Sequence, residues 1–121
     1  IGHISSVNNT TIDIKIKTNS SLLADTGNIS LAASTNKQWE LNIYFTIRSL
    51  GANGVASIAS GGVFSYTKDA SNTFEGTNFS IVNNTTFNTT IDNTLEITAT
   101  WGSANASNNI YSEIFMLHKT Y

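Results

Sequence analysis

From Trp39 to Ile47 every second residue is large and apolar: Trp39, Leu41, Ile43, Phe45 and Ile47, with Glu40, Asn42, Tyr44 and Thr46 between them. A period of two cannot gather its apolar side on one face of a helix, which repeats every 3.6 residues, but it does so on an extended strand. Ile12, Ile14 and Ile16 alternate in the same way with Asp13, Lys15 and Lys17, and Leu95, Ile97, Ala99 and Trp101 with Glu96, Thr98 and Thr100. Branched and aromatic residues fill these runs, as strand positions prefer. No segment reads as a helix.

The last segment is different. From Ile110 to Tyr121 both phases carry bulk, with Ile110, Ile114 and Met116 on one side and Tyr111, Phe115, Leu117 and Tyr121 on the other. A strand apolar on both faces is covered on both faces, so this segment is expected to be a strand needing cover beyond a single sandwich.

Turn signals separate the runs: Asp25-Thr26-Gly27-Asn28, Gly51-Ala52-Asn53-Gly54, Lys68 to Asn72, Val82 to Thr85 and Gly102 to Asn109. Asn53-Gly54 favours positive φ in a tight hairpin, which predicts that the Trp39 strand folds back on Val55 to Tyr66. Gly61-Gly62 inside that second strand predicts a bulge or a close backbone approach. Eight or nine short antiparallel strands in 121 residues have the dimensions of a β-sandwich or jelly roll. The chain is read as one domain, 1–121, cut from a longer polypeptide because it begins at Ile1.

Composition narrows the function. Charged residues are 12% of the chain, about half the typical share. Asn, Ser and Thr take their place, 48 residues in all. With a formal net charge of −2, the surface projects no long-range field toward phosphates or anionic lipid, which argues against a nucleic-acid partner. The longest apolar run, Ile114 to Leu117, is far short of the roughly 18 residues of a membrane helix, so no membrane insertion is expected. Without cysteine there is neither a disulfide nor a thiolate metal site.

Residues that could carry chemistry are few. Glu40, Glu96 and Glu113 sit in the polar phase of strands, where a carboxylate is a solvated partner for Arg48 or a lysine rather than half of a glycosidase pair. His3 and His118 stand at opposite ends of the chain, and neither has a ligand motif beside it. No serine lies in a nucleophile elbow. Neither catalytic residues nor a cofactor or metal is expected. Trp101 at the head of the Gly102–Asn109 loop has the look of a sugar-stacking platform, although completion of the core phase begun at Leu95 is the stronger reading. Nine Asn-x-Ser/Thr triplets mainly reflect the composition.

The stretch Trp101-Gly102-Ser103-Ala104-Asn105-Ala106-Ser107-Asn108-Asn109-Ile110-Tyr111-Ser112-Glu113-Ile114-Phe115-Met116-Leu117-His118-Lys119, the segment Trp39 to Arg48 with Gly51 and Gly54, and the strand Val63-Phe64-Ser65-Tyr66 resemble the C-terminal head domains of fibre and tail-fibre-like proteins of bacteriophages and large DNA viruses. The similarity spans roughly Leu22 to Tyr121. It implies a jelly-roll head, similar in plan to the tumour-necrosis-factor and complement C1q heads, that assembles as a homotrimer at the virion surface and attaches to a host glycan or surface protein. In such a trimer Tyr111, Phe115, Leu117 and Tyr121 would meet the neighbouring copies. Trp101, Asn105, Asn108, Asp69, Asn72 and Asn84, in loops, are the candidates for receptor contact. The alternatives are a trimerisation cap or capsid decoration without a ligand, and a carbohydrate-binding module of a larger enzyme.

Overall fold

The computed structural model describes residues 1–19 and 21–120. They form eight strands: β1 (Gly2–Ser6), β2 (Thr10–Thr18), β3 (Ser21–Leu31), β4 (Ser34–Ser49), β5 (Ser57–Thr67), β6 (Phe74–Asn84), β7 (Leu95–Trp101) and β8 (Asn109–Ser112). A 3₁₀ turn, Ala70–Asn72, joins β5 to β6. All pairings are antiparallel. One sheet runs β6-β5-β4-β1-β8 and the other β3-β2-β7. The expected all-β antiparallel sandwich of eight or nine strands is the observed fold, with eight strands among the described residues.

The core follows from the alternation. Ile12, Ile14 and Ile16 of β2 face Ile4, Trp39, Ile58, Phe64 and Tyr66 from the larger sheet, with Leu23 and Leu31 of β3 beside them, all buried. Burying side chains of this size contributes about 1.5–3 kcal/mol each. Phe64 stacks between its neighbours, with ring centroids 6.3 Å from Trp39 and 6.2 Å from Tyr66. Phe87, from the β6–β7 connection, is buried in the same cluster. Buried hydroxyls tie the layers together: Ser60 donates to the Leu23 carbonyl, and Ser6 to the Ala32 carbonyl at 2.8 Å.

Four local expectations are corrected. Asp25–Asn28 is no turn between strands but lies within β3, where Asp13 pairs with Asn28 and Lys15 with Asp25, so the register slips at a bulge. Gly27 supplies the positive φ of 63° there, and its amide donates to Asp25 Oδ1 at 2.6 Å. Val82 to Thr85 is likewise not a turn as far as Asn84, because β6 runs on to pair Asn84 with Ile58. The β4–β5 connection spans residues 50–56, wider than a two-residue hairpin; Gly54 takes a φ of 86° and is clamped by its amide donating to the Thr85 carbonyl at 2.7 Å. Gly61-Gly62 makes the close approach and not the bulge: a Cβ at Gly62 would run into the Asn42 carbonyl and the Phe79 ring.

The fourth correction matters most. The closing strand was expected to run from Ile110 to Tyr121; β8 stops at Ser112. The β1–β8 register ends with Gly2 opposite Ser112, and the Glu113 and Ile114 amides both turn onto the Ile1 carbonyl. Among the described residues, 113–120 join no strand. Tyr121 lies outside the described residues.

Candidate functional site

The two sheets do not cover each other completely. β4 is 16 residues long, whereas the facing strands β2 and β7 have 9 and 7. On the β5–β6 side the space between the sheets holds Ile58, Phe64, Tyr66 and Phe79 and leaves a smaller cavity of about 180 Å³ against β3, whereas toward β7 and β8 it opens. A cleft of about 680 Å³ results. Its floor is Ile14 and Trp39; one wall is Leu41, Ile43 and Phe45 of β4, the other Leu95, Ile97 and Ala99 of β7. Residues 114–117 run along its rim.

No Asp, Glu, Lys, Arg or His side chain lines the cleft among the described residues. Apart from Asn42, Tyr111 and Ser112, its lining side chains are apolar. Among the described residues no group of three or more His, Asp or Glu side chains could hold a metal ion.

Of the four residues assigned to subunit contact, Tyr111 lies in β8 opposite His3. Its hydroxyl donates to Asn36 Oδ1 at 2.9 Å, and its carbonyl accepts from the Trp39 indole at 3.1 Å. Phe115 and Leu117 are 63% and 66% exposed. The expectation that these residues share one strand face is corrected, because among the described residues no strand runs past Ser112: Ile114 and Met116, assigned to the opposite phase, line the same cleft and are 52% and 67% exposed. Tyr121 is not among the described residues. The segment is held at its root, where Glu113 Oε1 lies 2.9 Å from His3 Nδ1.

Five of the six loop candidates gather at one end of the sandwich. That end carries the connections after β1, β3, β5 and β7, as the pairings of Ser6 with Ser34, Thr10 with Leu31, and Ile12 with Trp101 require. Trp101 ends β7 half-buried against the core, completing the apolar phase that begins at Leu95. Asn108 braces its loop: Oδ1 accepts the Val7 amide and Nδ2 donates to Thr10 Oγ1, each at 2.9 Å. Asn105 Oδ1 accepts the Ser107 amide at 2.9 Å. Asp69 receives the Thr35 amide at 3.0 Å and the Thr35 hydroxyl at 2.7 Å, and Asn72 Oδ1 accepts from Lys37 Nζ at 3.0 Å. The backbone of Asn84 lies at the opposite end, across from Ile58.

At the loop end, Tyr66 of β5 ties the β3–β4 connection to β6. Its hydroxyl accepts the Ala32 amide at 2.8 Å and donates to Glu75 Oε2 at 2.8 Å, while Lys68 Nζ donates to Glu75 Oε1 at 2.6 Å. Burial, with the adjacent Glu75 carboxylate adding to it, pushes the Tyr66 phenol up to about 12. Lys68, then the Tyr66 hydroxyl, hold the Glu75 carboxyl below the ordinary carboxylate range.

The open cleft was not foreseen. Leu41, Ile43, Phe45, Leu95 and Ile97 read as ordinary core phase, and alternation alone cannot say whether a core face is covered. The excess length of the Trp39 run over its partners was the available signal. Comparison of the chain with protein-family models, with curated proteins and with solved structures found no match in any of the three.

Proposed function

We propose that this chain is a non-enzymatic head domain that completes its fold by clustering with two further copies and presents its loop end to a host receptor, a glycan or surface protein, from the surface of a virion fibre. One observation carries the reading: the sandwich is open along an uncharged cleft, and the segment beside it holds Phe115 and Leu117 more than half exposed. Contiguous apolar surface of this kind on a single chain marks an interaction site. Without disulfides, packing between subunits is the available source of added stability, since binding that favours only the folded state stabilises it.

The attachment half of the proposal rests on the loop end. Its Asn, Ser and Thr groups can match sugar hydroxyls without a field, and the resemblance to viral fibre heads points the same way. A second reading, a trimerisation cap without a ligand, is favoured by one feature: Asn105, Asn108, Asp69 and Asn72 all spend side-chain oxygens on bonds within the chain, Asn105 inside its own loop and the others to Val7, Thr35 and Lys37.

Glycan-array and host-cell binding by the assembled protein separates the two. Binding that disappears when the 102–108 loop is replaced by glycines, with mass and thermal unfolding unchanged, supports attachment. An assembled protein that binds neither sugars nor host cells sustains the cap. A carbohydrate-binding module would bind sugar as a single chain.

A further inference from the structure

We infer that residues 113–119 of one copy add as a fourth strand to the free edge of β7 in a neighbouring copy, closing that copy's cleft. The inference rests on the clustering proposed above and says how it is achieved.

Three observations meet here. β7 is the end strand of its sheet, so one edge has no strand partner among the described residues. An unpaired edge presents a row of amides and carbonyls that templates a further strand. The segment Glu113–Lys119 matches the seven residues of β7 in length, joins no strand among the described residues of its own chain, and carries four consecutive apolar side chains that are 52% to 67% exposed. Seated about 4.8 Å from β7 in place of the acceptor's own segment, it would direct alternate side chains onto Leu41 and Ile43, half-buried, and Phe45, 38% exposed. This explains why the segment is apolar in both phases: one phase would fill the cleft and the other would meet the donor copy.

The exposed apolar surface is divided between an acceptor and a donor, as an exchange between copies of this chain requires. Five large side chains of the cleft, Ile1, Phe45, Leu95, Ile97 and Tyr111, are 36% to 48% exposed, and the four of the segment 52% to 67%. At roughly 150–250 Å² for a side chain of aromatic size, each side of one contact offers on the order of 400 Å², so each copy, donating in one contact and accepting in another, commits on the order of 800 Å² in all. The exchange is head to tail, donor segment to acceptor edge, so it builds a ring if it closes and a filament if it does not.

Cysteine pairing tests it, because the chain contains none of its own. A chain carrying only Ala99→Cys, a small exposed position on the cleft face of β7, is co-expressed with chains carrying only Ile114→Cys, Phe115→Cys, Met116→Cys or Leu117→Cys, and oxidised mildly. The expected result is a shift of the band from one chain to a mixed two-chain disulfide. It should form at one parity of the segment, 114 and 116 or 115 and 117, and not the other, because a disulfide needs Cβ atoms about 3.5–4.5 Å apart. Absence of mixed disulfide at all four positions in a protein that still has multi-chain mass overturns the strand exchange and leaves the clustering standing. A single-chain mass with no mixed disulfide overturns both. Equal linkage at all four positions describes a loose segment and also overturns it, as does a disulfide that forms only within one chain when both cysteines are placed together.

Discussion

Ile16 of β2 and Ile97 of β7 are register partners on adjacent strands, yet Ile16 is fully buried and Ile97 is 40% exposed. Partners in an antiparallel pair point to the same face, so the difference lies in what stands opposite. Ile16 faces the filled half of the sandwich and Ile97 the cleft.

The pair predicts two separable effects. Ile16→Ala should lower the stability of the fold by about 2–5 kcal/mol, the range for emptying a packed site. Ile97→Ala should cost the single chain well under half of that and instead weaken association, moving the monomer–oligomer equilibrium toward monomer. Chemical denaturation and sedimentation, run on both variants, check the split.

Tyr66→Phe removes the acceptor of the Ala32 amide and one donor to Glu75. A buried amide left without a partner costs about 1–3 kcal/mol. The variant should unfold at correspondingly lower denaturant with an unchanged denaturant slope.

The same triad sets the pH response. Glu75 is held below its ordinary range by Lys68 and Tyr66, so its contribution is present above the unfolded carboxylate value and is lost as pH falls through the folded one. Tyr66 is pushed up to about 12 from 10.0, so its contribution is present below 10.0 and is lost as pH rises toward 12. Lys15, raised by its hydrogen bond to Asp13, loses its share on the same alkaline side. Stability against pH should therefore be a plateau with two shoulders. Glu75→Gln should flatten the acid shoulder, and Tyr66→Phe should reduce the alkaline one, both read from denaturation midpoints.

Gly62→Ala should destabilise the fold by about 1–3 kcal/mol, the usual range for forcing extra atoms into a packed site, because the new methyl meets the Asn42 carbonyl and the Phe79 ring. Gly54→Ala meets no atom but must hold a φ of 86°, so it should cost through backbone strain alone, about 1–2 kcal/mol. Thermal unfolding of the two variants checks both.

Much of this fold was legible because alternation is a local property. Ile12–Ile16, Trp39–Ile47 and Leu95–Trp101 each announce a strand and its inward face, and each is one. Coverage and pairing are not local. Nothing in residues 110–121 distinguishes a paired strand from an unpaired segment of the same pattern, since that depends on a partner backbone, and the β1 register ends at Gly2. Likewise Asp25–Asn28 has the composition of a turn, but in β3 the sheet continues past it and the same residues make a bulge. The loop candidates were placed by composition, which put five at one end of the sandwich and Asn84 at the other, because chain order does not reveal which connections share an end.

The account stands on the claim that one copy leaves its sandwich open and others close it. Light scattering on the purified chain tests this most directly. The predicted mass is three times the 13.0 kDa of a single chain, falling to one chain or to insoluble material in Phe115→Asp. A wild-type protein that stays at 13.0 kDa over the full concentration range, stable and soluble, would contradict it.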